Sequence, residues 1–265
     1  MTRPAVLFDH ADGIGVLTLD RPERRNALDL ELTASLTRTL AEVSALEGVR
    51  VLILAAKGRH FSVGGDLRAF AALCDEPPAR RRAAMAELLE AAERMLMALV
   101  EMPIPVIAAS RGTIAGGAVG LALAADLVVA EDSATFRFAQ RDIGVPSDGC
   151  VSWLLPRVVG HRQATRLLLG AANVAGDEAL ALGLVTHRAE AGEAETRAMA
   201  LARDLAQAPP FAVRQAKSLL ARSATTGFAA QLGAERDGVL TAVEGEEFVA
   251  RIRAFAARAD HGAPT

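Results

Sequence analysis

Three segments of the 265-residue chain hold residues whose types and spacing could do chemistry. The first is Phe61-Ser62-Val63-Gly64-Gly65-Asp66-Leu67. A strand is expected to end here, turn through glycines and pass into a helix, so that backbone N–H groups point at one spot with no side chain in the way. The plainer reading is a tight loop before a helix. The second is Gly112-Thr113-Ile114-Ala115-Gly116-Gly117-Ala118-Val119-Gly120, again a strand, a small-residue turn and a helix start. A helix N-terminus carries unsatisfied N–H donors and positive partial charge, so it favours an anion. No Gly-Lys-Ser/Thr follows, and the glycine spacing is not G-x-G-x-x-G, so neither nucleotide loop is present. Two such donors converging on one oxygen would make an oxyanion hole, in which losing one donor removes ~2.7–4 kcal/mol of transition-state stabilisation. The third segment is Ile143-Gly144-Val145-Pro146-Ser147-Asp148-Gly149-Cys150. Asp148 is either the N-cap of the apolar helix that follows or an acid/base. Cys150 reads as a small buried thiol, and Trp153 as core or pocket wall.

The elements that must position these loops follow from pattern. Residues 6–8 and 15–19 read as short strands joined at Asp12-Gly13, a hairpin signal. A helix runs from about residue 29 to 46, with Asp29 as N-cap and Gly48 beyond its end. The continuous apolar runs 51–54, 106–109 and 127–130 fit strands covered on both faces. Helices are expected at 67–73, at 79–101 and from Gly116 onward. Strand, crossover and strand repeat, which argues for an α/β fold with largely parallel pairing. After Asp148 the chain reads almost wholly helical, with amphipathic spacing at 196–206, 211–221 and 246–257 and one short strand near 184–187.

Composition bounds the partners. Lys and Arg number 29 against 32 Asp and Glu, a formal charge of −3, which gives no electrostatic footprint for nucleic acid. Hydrophobic residues are 51% of the chain, enough to bury a core. The two cysteines, Cys74 and Cys150, make neither a disulfide framework nor a metal-ligand pattern, and the five histidines are scattered. His60, beside Phe61, reads as a loop residue. The longest apolar run, residues 112–125, falls short of the roughly 20 residues that span a bilayer and holds four glycines, so it reads as protein interior. The first ten residues lack the pattern of a secretory signal. The expectation is a cytoplasmic protein without membrane association.

Taken together, the three segments resemble the crotonase, or enoyl-CoA hydratase/isomerase, superfamily. The likeness runs from Arg25-Asn26-Ala27-Leu28 through residues 61–67 and 105–126 to Trp153-Leu154-Leu155-Pro156-Arg157-Val158-Val159-Gly160, and on through 179–185. It implies a spiral core of ββα turns over residues 1–200 and a helical C-terminal trimerisation region over 201–265, in homotrimers or hexamers. It implies an acyl-CoA thioester as substrate, with coenzyme A belonging to the substrate and no separate cofactor or metal. It matches the two oxyanion-hole amides to Val63 and Gly117. It places the CoA near Arg25, Ala27, Val63, Gly64, Gly65, Asp66 and Gly117, with Phe255 and Arg258 loosely similar to residues that cap the CoA of a neighbouring subunit.

Two departures bear on the reaction. Family hydratases hold one water between two glutamates. The first would stand three residues beyond Gly117, where this chain has Gly120; the second four residues before Gly144, where it has Gln140. Glycine shuttles no proton, and a neutral amide is no useful base near pH 7. Asp148 remains, at a site where family isomerases carry the proton-moving aspartate and family dehalogenases a nucleophile. The resulting expectation is an enoyl-CoA isomerase working through an enolate, with Asp148 as acid/base. The alternatives are hydration by an atypical route, thioester hydrolysis, dehalogenation or decarboxylation on the same fold, and an acyl-CoA-binding homologue with little catalysis.

Overall fold

Asp12 and Gly13 both take positive φ, 51° and 80°, and form the two-residue turn between β1 (Val6–Ala11) and β2 (Ile14–Leu19). That backbone twist matches the twist of an antiparallel hairpin, and Asp-Gly is the sequence that tolerates it. The structure is a computed structural model that describes residues 3–260, with side chains to residue 257. From β2 the chain enters α1 (Leu30–Ala45), whose N-cap Asp29 accepts the Leu32 amide at 2.9 Å. β3 (Val51–Ala56) is buried along its whole length, as its unbroken apolar run requires. The next elements are α2 (Leu67–Leu73), α3 (Pro78–Val100), β4 (Val106–Ser110), β5 (Thr113–Ala115), α4 (Gly117–Leu123), β6 (Leu127–Glu131) and β7 (Thr135–Arg137). Then come α5 (Val151–Val159), α6 (His161–Gly170), β8 (Asn173–Ala175), α7 (Gly176–Ala181) and β9 (His187–Ala189). The helices α8 (Ala194–Gln207), α9 (Pro210–Ser223), α10 (Phe228–Val243) and α11 (Glu246–Asp260) complete the described chain.

A six-stranded sheet orders the strands β1-β2-β3-β4-β6-β9, antiparallel only at β1–β2, and a three-stranded sheet orders them β5-β7-β8. The two sheets are wound together. Each of β2, β3, β4 and β6 is followed by a short stretch that pairs outside the large sheet, then in most turns by a helix. β4 leads to β5 and α4, and β6 leads to β7. After β3 the short stretch shrinks to a single parallel bridge, Ser62 to Ile114, before α2; after β2 it is the bridge Leu28 to Gly65, before α1. This is the spiral of ββα turns expected from the sequence.

The core lies between the large sheet and its helices. Leu17, Leu19, Leu32, Leu36, Leu40, Leu52, Leu54, Phe61, Met95, Phe136 and Phe138 are all buried to within 2%, and burying each such side chain is worth roughly 1.5–3 kcal/mol. By packing, the chain divides into two compact units, Met1–Asp204 and Leu205–Thr265, with the division inside α8. The second unit holds the helical hairpin of α9 and α10, tied by the Gln231 amide donating to the Leu219 carbonyl at 3.1 Å, and α11, whose Arg251 donates to the Gln207 carbonyl. No helix among the described residues is long and apolar enough to cross a membrane.

The pattern reading erred where segments are short. β5, β7 and β8 have three residues each, too few to show an alternating period. The strand expected near 184–187 is instead His187–Ala189. Leu184 and Val185 are buried in a turn, where the Val185 amide donates to the Ala179 carbonyl at 3.2 Å, so their apolar character reports burial and not a strand.

Candidate active site

Equivalent positions on successive spiral turns bring the first two loops together. Around the Ser62–Ile114 bridge, the Ser62 amide donates to the Thr113 carbonyl at 3.2 Å and the Ala115 amide to the Ser62 carbonyl at 3.1 Å. Gly64, at φ 78°, then lies flat against the Ala115 carbonyl. A Cβ on it would strike that oxygen and lie 3.4 Å from the Gly116 Cα. The turns carrying Val63 and Gly117 are therefore in backbone contact, which only glycine at position 64 permits. Gly117 is the first residue of α4, and among the described residues its N–H has no acceptor. The Val63 N–H is engaged: it donates to the Arg25 carbonyl at 3.2 Å.

The stretch from Arg25 to Leu28 is bound to the same loop. Arg25 and Asn26 are both left-handed, with φ 54° and 52°. The fully buried Asn26 supports this shape. Its Oδ1 accepts the Arg21 amide at 2.9 Å, its Nδ2 donates to the Lys57 and His60 carbonyls at 3.0 Å each, and its own carbonyl accepts the Ser62 hydroxyl at 2.7 Å. Leu28 donates to the Gly64 carbonyl at 2.8 Å. The residues expected to hold CoA, Arg25, Ala27, Val63, Gly64, Gly65 and Asp66, thus form one continuous backbone patch, with the Arg25 side chain exposed and Ala27 buried. The Asp66 carboxylate is already occupied. It caps α2 by accepting the Arg68 and Ala69 amides at 2.9 and 3.3 Å, and sits 3.7 Å from Arg24. Phe255, on α11 of the second unit, is exposed, and the side chain of Arg258 lies outside the described residues.

The third loop carries Asp148 to α4. Gly149, at φ 60°, faces Gly117 so closely that a Cβ on it would lie 2.7 Å from the Gly117 Cα, and a Cβ on Gly120 would strike the Gly149 carbonyl. Backbone rests on backbone across three glycines. The Asp148 carboxylate consequently stands beside Gly117: a Cβ there would be 3.6 Å from Oδ2 and 3.9 Å from Oδ1. Oδ1 accepts a 3.0 Å hydrogen bond from Nε2 of Gln140, which is only 6% exposed. The Gln140 Oε1 is buried without a partner, as is the Ser147 hydroxyl; leaving such an atom unpaired costs roughly 1–3 kcal/mol.

Asp148 is not a helix cap. The N-cap of α5 is Cys150, left-handed at φ 60°, and no side chain caps that helix. Cys150 is exposed, not the buried thiol expected, and Trp153 is 43% exposed beneath the Arg157 guanidinium, 3.6 Å from its ring centre. His60 belongs to the scaffold: its Nδ1 accepts the Thr113 amide at 3.1 Å, and burial, then Arg25 and Arg59, hold its pKa below the ordinary value. The turns that carry Val63 and Gly117 are thus in backbone contact and Asp148 stands beside Gly117, while the Val63 N–H is given to the Arg25 carbonyl. The sequence reading noted Gln140 only as a lost glutamate. Its bond across eight residues of irregular chain follows no period, so no sequence signal announced it.

These features define an α/β spiral with a backbone amide and a carboxylate side by side at the start of α4. Residues 9–260 match the enoyl-CoA hydratase/isomerase family. The chain is 34% identical to a probable enoyl-CoA hydratase of Rhodobacter capsulatus over 89% of its own length and 88% of the relative's. It is 31% identical to the 1,2-epoxyphenylacetyl-CoA isomerase of Escherichia coli over 95% of each. The crystal structure of a putative enoyl-CoA hydratase from Streptomyces coelicolor superposes with a TM-score of 0.88 at 36% identity, over 96% of this chain and 92% of that one. The chain belongs to the enoyl-CoA hydratase/isomerase family.

Proposed function

We propose that the protein is an enoyl-CoA isomerase that moves a double bond by a 1,3 proton shift, with Asp148 as the single acid/base. The observation that carries this reading is the Asp148 carboxylate beside Gly117, in a site where both hydratase glutamates are absent. In a 3-enoyl-CoA, Asp148 takes a proton from C2. The C–H electron pair enters the thioester system, giving a dienolate whose negative charge rests on the thioester oxygen. The free Gly117 amide donates to that oxygen. The Val63 amide joins by sharing its proton between the thioester oxygen and the Arg25 carbonyl. Asp148 then returns the proton to C4 and the electrons settle between C2 and C3, so no net proton is gained or lost. Donors fixed in place before charge develops favour the dienolate over the substrate. The backbone patch of Arg25, Ala27 and residues 63–66 holds the CoA portion, which arrives as part of the substrate; the reaction calls on no further cofactor.

The relative from E. coli is itself named a CoA-thioester isomerase. The name of the R. capsulatus relative favours a second reading, hydration of a 2-enoyl-CoA. The missing carboxylates speak against it. The test is turnover of 3-hexenoyl-CoA, and separately of crotonyl-CoA in water, by the native enzyme and D148N. Isomerisation should fall ~10²–10⁴-fold in D148N while the thioester still binds. Unchanged isomerisation removes Asp148 from the mechanism, and hydration outpacing isomerisation favours the second reading. We further propose a cytoplasmic homotrimer or hexamer, supported by exposed apolar residues of the second unit such as Leu220 and Phe228.

A further inference from the structure

We propose that Gln140 is a positioning residue for Asp148, whose amide N–H pins Oδ1 and leaves Oδ2 as the sole oxygen that carries the proton. The inference rests on Asp148 as the acid/base. Its basis is the 3.0 Å bond from Nε2 to Oδ1, made by a side chain that is 94% buried by its 6% exposure, with its other polar atom unpartnered. An apolar side chain would fill the same space with no orphaned oxygen, so the bond to Asp148 is what the amide supplies.

An amide neither takes up nor releases a proton near neutral pH. It therefore holds Oδ1 without competing for the substrate's proton. The bond suits both states of the catalytic cycle: in the carboxylate Oδ1 accepts, and in the acid protonated on Oδ2, Oδ1 is still a carbonyl-type acceptor. No side chain has to turn between removing the proton and returning it. Oδ2 is also the carboxylate atom nearer the place a Cβ on Gly117 would take, at 3.6 Å against 3.9 Å for Oδ1.

Among the described residues, Gln140 makes the one side-chain hydrogen bond to Asp148, and no ion pair reaches that carboxylate. α4 carries no titratable side chain. α5 carries Arg157 alone, which lies over Trp153. Beside Gln140, Arg141 donates to the Leu169 carbonyl and pairs with Asp142 at 3.3 Å. α6, which packs against the segment of Gln140, carries His161, Arg162 and Arg166, the last paired with Glu178 at 2.7 Å, and the Cys150 thiol is exposed.

The test uses Q140M, which keeps the length without a donor, and Q140E, which makes a carboxyl pair, with D148N beside them, all on 3-hexenoyl-CoA. Q140M leaves Oδ1 without its donor, and its kcat should fall about tenfold with little change in KM. Q140E puts a second carboxyl group in the donor's place, and its kcat should fall by at least as much. A kcat unmoved in both variants, with D148N inactive, overturns the role of Gln140 alone. Isomerisation surviving in D148N overturns the proposed function and this inference together.

Discussion

The Nδ1 atom of His60 accepts the Thr113 amide at 3.1 Å, so the folded ring is neutral with its proton on Nε2. Protonation would turn the acceptor into a donor facing a donor. Burial and the neighbouring Arg25 and Arg59 act in the same direction, lowering the folded pKa below the ordinary value of 6.5. Below that value the unfolded chain binds more protons than the folded one, so this contribution to stability is present above about pH 6.5 and is lost as pH falls through the folded pKa. Chemical denaturation from pH 7.5 to 5 should therefore show native stability falling with acid more steeply than in H60N, whose amide oxygen still accepts from Thr113 and does not titrate. Parallel curves would remove His60 from the acid response. At this scale the sequence singles out Val63, Gly117 and Asp148 as candidates, through a resemblance that fixes position along the chain; the structure sets the Asp148 carboxylate beside Gly117. The sequence did not show the Val63 amide held by Arg25, because that carbonyl's direction depends on the left-handed conformation of Arg25, which an arginine does not announce, although Asn26 beside it is of a type that tolerates it.

Among the elements, α4 sets the geometry of the site. Its first residue supplies the donor, and its Gly117 and Gly120 receive the loop of Asp148. Gly120 is not a vacant place for the hydratase glutamate, since the Gly149 carbonyl fills the space beside it. Replacing the glycine by glutamate should not restore hydration. G120E should instead displace the loop, lower stability by on the order of 1–3 kcal/mol or more, and reduce isomerisation along with it; thermal melts and the two CoA assays read all three. A stable G120E enzyme that hydrates crotonyl-CoA would contradict this packing. The buried strands and the capped helix α1 were legible because period, length and caps agree there. The short second sheet was not, and neither was the contact of Gly149 with α4, because backbone packing between distant glycines leaves no mark on local pattern.

For the whole molecule, the second unit presents large apolar side chains to solvent in the single chain. Leu220 is 75% exposed, Phe228 80% and Phe255 63%, with Leu232, Val239, Leu240 and Ile252 each at least half exposed. A lone soluble chain rarely leaves so much apolar surface open. Light scattering on the eluting native protein should give the mass of a trimer or hexamer, and L220D/F228D should lower it to the monomer; a native monomer would dismiss the assembly. The resemblance puts the division of the chain at residue 200, and packing puts it after Asp204. That position within α8 was not legible in the sequence, because the helix runs on across it.

The three-glycine contact has a consequence for how activity is lost. The Gly117 amide proposed to receive charge and the Asp148 carboxylate proposed to move the proton stand on one backbone-to-backbone seam, not on separate flexible arms. Warming or mild urea would thus leave turnover intact until that seam parts, and then remove both functions in a single step.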